Sequence, residues 1–188
     1  MKKFYFFALA YFFCCITING QITKKNWLVG GNGSLSSQIE DLNGTEVRGI
    51  DIKISPAIGY FFIDKFAGGL STNLIYSNVK FNGGVSKSTR VGIGPFLRYY
   101  FLHTDKRVNL LAETAYQHVF YNSNSGGSSD KENIFSFSAG PVIYFNSSVG
   151  IEFTGKYEID NSRGRATSAK TFYLSIGFQI HLEKDHNQ

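Results

Sequence analysis

The chain has 188 residues, 43% hydrophobic and 16% aromatic, with 20 glycines and two cysteines. Nineteen basic against 14 acidic residues give a formal charge of +5, too mild and too dispersed for a nucleic-acid partner. Beyond the first twenty positions no run of eighteen apolar residues occurs, which excludes a helical membrane span.

Residues 1–20 read as an export signal that is removed. Lys2 and Lys3 supply the positive start, Phe4 to Ile18 the apolar run, and Gly20 a small residue before a cut ahead of Gln21. A run of about fifteen residues is shorter than the roughly twenty needed to cross a bilayer as a helix. Cys14 and Cys15 both lie inside it. Residues 21–188, read as one domain, therefore have no disulfide, thiolate ligand or cysteine nucleophile. Phe12 and Phe13 stand where a lipoprotein would need small residues. Without the two leading lysines the charge falls to about +3.

From there on, apolar residues recur at every second position, the period of a strand. Trp27 to Ser37 is the first segment and has the weakest contrast. In the second, Ile50, Ile52, Ile54, Pro56, Ile58 and Tyr60 alternate with Asp51, Lys53, Ser55, Ala57 and Gly59. Phe66 to Val79 is the third. The fourth sets Val91, Ile93, Pro95, Leu97, Tyr99 and Phe101 against Arg90, Gly92, Gly94, Phe96, Arg98 and Tyr100. Leu110, Ala112, Thr114 and Tyr116 mark the fifth, Ile134 to Phe145 the sixth, and Val149, Ile151, Phe153, Gly155 and Tyr157 the seventh. The eighth is the clearest: Phe172, Leu174, Ile176, Phe178, Ile180 and Leu182 share one face.

The connections alternate in length. Polar stretches near 38–47, 80–88, 122–133 and 160–170 follow the odd segments, and brief turns at Ile63 to Lys65, Leu102 to Arg107 and Asn146 to Ser148 follow the even ones. Short turns on one side, longer loops on the other and an even strand number are the marks of a membrane barrel with both chain ends on the periplasmic side. The apolar faces carry no Asp, Glu, Lys or Arg, although 18% of the chain is charged. Tyr60, Tyr99, Phe101 and Phe145 near the short turns, and Tyr76, Tyr116, Phe120, Phe135, Tyr157 and Phe172 towards the long loops, form two interfacial girdles. The expected fold is all-β: an eight-stranded antiparallel up-and-down transmembrane β-barrel. Pro56, Pro95 and Pro141 sit at matching places in the even strands, each at the cost of a ladder hydrogen bond.

The stretch Gly94-Pro95-Phe96-Leu97-Arg98-Tyr99-Tyr100-Phe101, Glu113 in the next strand, and the ending Ser175-Ile176-Gly177-Phe178-Gln179-Ile180-His181-Leu182 resemble the porin-like outer-membrane β-barrel family. That family shares the eight-stranded architecture of OmpX and the transmembrane domain of OmpA. The resemblance covers nearly all of residues 21–182. The ending looks like the signal read by the barrel-assembly machinery, carried by Ser175, Gly177, Ile180 and Leu182, with Leu182 where an aromatic is usual and the tail Glu183 to Gln188 beyond it. The resemblance implies an outer-membrane location, contact with outer-membrane lipids, and passage through periplasmic chaperones and the assembly machinery. It implies no single activity.

Inward faces carry Asp51, Glu113, Glu152 and Glu158 beside Lys53, Arg90, Arg98 and Lys156. An eight-stranded barrel is just wide enough for side chains to fill, and charges there need partners. Arg98 and Glu113 flank one short turn and form the expected luminal salt bridge. For a hydrolase only His118, Ser123 and Asn124 are available, and their spacing does not match the His-X-Ser-Asn pattern of lipid A deacylases. His103, His118, His181 and His186 are scattered without ligand spacing, and Gly30-Gly31-Asn32-Gly33 has no helix after it to bind phosphate. No metal or cofactor is expected. The leading expectation is a non-enzymatic barrel with a side-chain-filled polar lumen and a role in envelope structure or surface interaction. A narrow porin for small solutes is second and a lipid A-modifying enzyme third.

Overall fold

The computed structural model describes residues 22–42, 45–81, 84–123, 132–162 and 169–182; the expected export signal and cut site, residues 1–21, lie outside them. Eight strands follow one another: β1 (Trp27–Leu42), β2 (Thr45–Ile63), β3 (Phe66–Phe81), β4 (Gly84–Tyr100), β5 (Val108–Ser123), β6 (Glu132–Tyr144), β7 (Val149–Ser162) and β8 (Ala169–Leu182). Each pairs antiparallel with the next, and β8 with β1, to close a barrel. The fold read from the two-residue period is the fold observed.

Alternation explains the wall. From Val91 to Tyr100 every odd residue is exposed and every even one buried, because successive strand side chains point to opposite faces. Ile54, Leu97 and Phe178 face outward and stay about half exposed, whereas Arg98, Glu113, Glu152 and Lys156 face inward and are buried. This inverts the distribution of a water-soluble protein and matches that of a barrel in lipid.

Two expected loops are strand instead. The ladder continues to Leu42↔Thr45 between β1 and β2 and to Phe81↔Gly84 between β3 and β4, so 38–47 and 80–88 are mostly paired. Where a sheet meets water on both faces the polar–apolar contrast fades while the backbone ladder persists, and composition then reads as loop. The expected long connections after β5 and β7 centre on 124–131 and 163–168, outside the described residues. Short turns join the even strands to the odd ones, with Lys65 at a positive φ of 66° in the tight β2–β3 link. Trp27 lies opposite Leu182, so the barrel begins and ends on the short-turn side.

The prolines share one geometry. Pairing skips residues 55–56 towards β3, 94–95 towards β5 and 140–141 towards β7, then resumes in the same register. Proline has no N–H, so the carbonyl across from it loses a donor. A β-carbon at Gly94 would overlap the Tyr116 carbonyl oxygen, and one at Gly140 the Phe153 oxygen. By register these are the residues opposite Pro95 and Pro141. Glycine lets the strands close in, so that a Cα–H meets the carbonyl that the proline leaves without a donor.

Candidate functional site

The lumen is filled from the short-turn end upward. The segment before β1 folds beneath the barrel: Lys65 N–H donates to the Ile22 carbonyl, Lys25 N–H to that of Phe61, and Phe61 N–H to that of Asn26, each at 2.9 Å. Ile22 is thereby fully buried against a cluster that includes Phe61, Phe96, Tyr100, Leu111 and Tyr144. His181 joins this apolar plug, its ring centroid 5.3 Å from that of Phe61, 5.6 Å from Tyr144 and 6.1 Å from Tyr100. Among the described residues neither of its ring nitrogens has a hydrogen-bond partner.

Above the plug, Arg98 organises the cross-section. Strand register places it directly opposite Glu113. Its Nε donates to Glu113 Oε2 at 2.8 Å, and Nη2 lies 2.6 Å from the same oxygen. Nη1 donates at 2.8 Å to both Glu152 Oε2 and Gln179 Oε1. Gln179 Oε1 also accepts from Tyr100 Oη at 2.6 Å, while its Nε2 donates to Tyr144 Oη at 3.0 Å. All five side chains around Arg98 are buried, where charge-assisted bonds of this kind are strongest. The Glu152 and Gln179 contacts cross the lumen from β7 and β8, which no local spacing reveals.

Next comes an uncharged layer. Ser55 donates to Asn73 Oδ1, Asn73 Nδ2 to Gln117 Oε1 at 2.5 Å, and Gln117 Nε2 to Ser71 at 2.9 Å. Higher still, Lys53 Nζ lies 2.5 Å from Glu158 Oε2 and 3.1 Å from Tyr173 Oη, and Tyr173 donates to Glu158 Oε1 at 2.6 Å. Lys156 Nζ is 3.7 Å from the same Glu158. Arg90 meets Glu132, absent from the expected set, at 3.4 Å. Asp51 is on the inward face but, among the described residues, makes none of these contacts. Among the described residues the pairing is uneven at each level: one arginine between two carboxylates below, and two lysines on one carboxylate above, beside the Arg90–Glu132 pair.

Of the residues weighed for hydrolysis, only the His118 side chain is described, and it lies outside this space. His118 faces outward, with Nδ1 2.9 Å from Asn133 Oδ1 and its ring 5.0 Å from Phe120. The Ser123 side chain and all of Asn124 lie outside the described residues, as does His186. His103 sits in an exposed turn 3.2 Å from Asp105. Among the described residues no three His, Cys, Asp or Glu side chains gather as metal ligands would.

The seam between β1 and β8 is the wall's discontinuity. Their pairing runs only from Trp27↔Leu182 to Gly33↔Ile176, whereas β1 stays paired with β2 as far as Leu42. Beyond Gly33 the seam is open: β1 runs on paired with β2 alone and β8, from Ala169 to Ser175, with β7 alone. The β1–β2 and β3–β4 ladders continue to Leu42↔Thr45 and Phe81↔Gly84 and raise the sheet on that side. Leu35 and Leu174 flank the opening, each 74% exposed. On the outer surface below it, Gly31 and Gly33 leave an apolar groove of about 450 Å³ between Ile54, Pro56, Ile176 and Phe178.

No protein-family model matches the chain, and no curated protein does. Solved structures do. The outer membrane protein OprG from Pseudomonas aeruginosa is 16% identical with a TM-score of 0.59, over 89% of this chain and 100% of that one. Neisserial surface protein A is 14% identical with a TM-score of 0.53, over 82% and 96%. At these identities the likeness is one of fold: this chain has the closed eight-stranded barrel of outer-membrane proteins.

Proposed function

We propose that the chain is a non-enzymatic outer-membrane protein that crosses the lipid with a filled lumen and acts through the sheet it raises at its long-loop end, in envelope structure or surface interaction. The observation that carries this reading is the filled cross-section: Ile22, Phe61, Tyr100 and Tyr144 below and the Arg98–Glu113–Glu152–Gln179 network above are all buried. A lumen so occupied leaves its outer surfaces as the means of contact. The open β1 edge from Ser34 to Ile39 contains no proline and no charged residue, the usual protections against strand addition, and it can take an extended segment of a partner.

In this reading the short turns and both chain ends face the periplasm. Ser175, Gly177, Ile180 and Leu182 carry the assembly signal within β8, largely in the stretch that zips onto β1, and the assembly machinery and periplasmic chaperones act before that closure. A narrow solute pore is the second reading. The charged upper lumen favours it, but it requires the plug to leave. Conductance of the refolded full chain in a planar bilayer separates the two: little or no steady current is expected, and stable open channels would overturn the filled-barrel reading in favour of the pore.

A further inference from the structure

Where side chains are described, charge on the outward strand faces lies at one end of the wall: Arg48, Lys80, Lys87 and Lys170 are all exposed cations towards the long loops. The register adds Asp41 and Glu46 on the same face nearer the tip. The short-turn end differs, with Asp64, Lys65, Asp105 and Lys106 mixing both signs. Three of the four cations cluster. Arg48 on β2 is directly opposite Lys80 on β3, and Lys87 on β4 pairs with Asn78, two residues below Lys80. Directly opposed residues stand about 5 Å apart and diagonal ones about 7–8 Å, so the three form a short oblique row.

Among the described residues neither Lys80 nor Lys87 has an ion-pair or hydrogen-bond partner. Glu46 lies two positions beyond Arg48, opposite Asp41, so the register places acids past the row, towards the tip. The depth of the row is informative. Tyr76, at the upper aromatic level, is opposite Ile52, four residues below Arg48 on the same strand. With a rise of about 3.3 Å per residue and a tilt near 40°, the cations stand roughly 5–10 Å above Tyr76, the depth of a lipid headgroup layer.

We propose that the outer face of β2, β3 and β4 at Arg48, Lys80 and Lys87 binds the phosphate of anionic lipid headgroups in the leaflet at the long-loop end. The proposal rests on the membrane reading above. Apolar residues directly below, such as Ile50, Ile52 and Leu74, are exposed on the same face and would lie along the acyl chains of a lipid so held. A phosphate held by Lys80 and Lys87, with Arg48 beside them, ties three strands of the raised sheet to the membrane surface.

The test uses the full chain refolded into phosphatidylcholine vesicles carrying spin-labelled phosphatidic acid or spin-labelled phosphatidylcholine, and reads the motionally restricted lipid. The wild type is expected to prefer phosphatidic acid by about fivefold for each cation engaged, at low salt. The triple variant Arg48→Gln, Lys80→Gln, Lys87→Gln should lose most of that preference, and Lys170→Gln should keep it. Should the triple variant fail to insert, Lys80→Gln alone should still reduce the preference. Equal restriction of the two lipids by the wild type, or an undiminished preference in the charge variants, would overturn the proposal. Reversal by inorganic phosphate but not by chloride of equal ionic strength would assign the site to free phosphate instead. If no lipid of either kind is restricted, the membrane reading itself fails, which is a different result.

Discussion

Replacing Arg98 with methionine should do more damage than any other single change in the lumen. Its guanidinium donates to Glu113, Glu152 and Gln179 at 2.8 Å, and both carboxylates are nearly inaccessible to water. Removing one partner of a buried ion pair costs about 3–5 kcal/mol, because the remaining charge is stranded. Here two pairs are lost together, and the sum approaches the roughly 5–15 kcal/mol that holds a domain folded. Glu113→Gln is the informative contrast. It leaves Arg98 paired with Glu152 and keeps an acceptor for Nε, so about 1–3 kcal/mol is expected. Converting Arg98, Glu113 and Glu152 together to apolar residues should recover much of the loss, since no charge stays unpaired. Urea unfolding of the vesicle-inserted barrel, followed by its gel mobility, measures all three. The reasoning is refuted if Arg98→Met costs no more than Glu113→Gln.

Ile54→Arg or Leu97→Arg places a charge on the lipid-facing wall and should cost about 2–4 kcal/mol near the midplane; spin labels at these positions that are fully open to water would refute the membrane assignment. His181→Phe removes two ring nitrogens that have no hydrogen-bond partner among the described residues from an aromatic surround and should raise the urea midpoint, by about 1–3 kcal/mol in stability; a loss would show that the imidazole has a polar role. Gly94→Ala should destabilise by about 1–3 kcal/mol because the added carbon overlaps the Tyr116 carbonyl. Gly33→Ala should be milder, its nearest atom being 3.6 Å away, and equal costs would refute the close-approach account. Deleting Glu183 to Gln188 should be tolerated in cells, whereas polar replacement of Ile180 and Leu182 should lower the yield of inserted barrel; matching yields would count against the assembly signal.

Periodicity carried the strand count and which residues share a face, while the alternating connection lengths and the charge-free apolar faces carried the closed architecture and its outward-facing side. A step of one residue moves a whole strand's side chains to the other face, so Ile54, Leu97 and Phe178 had to lie outside once Lys53, Arg98 and Gln179 lay inside. The Arg98–Glu113 contact was also within reach of the sequence, because a short turn fixes the hairpin register. Tertiary structure decided what is far apart in the chain. Glu152 and Gln179 reach Arg98 only because β7 and β8 curve round to the opposite wall, so Glu113 is one of two carboxylate partners rather than the sole one. Ile22 became the floor of the lumen by hydrogen-bonding beneath the barrel, which residue type gives no hint of. The raised sheet was hidden for another reason: once a strand leaves lipid, water solvates both faces and the apolar period vanishes, while the backbone hydrogen bonds that define the strand leave no mark on composition.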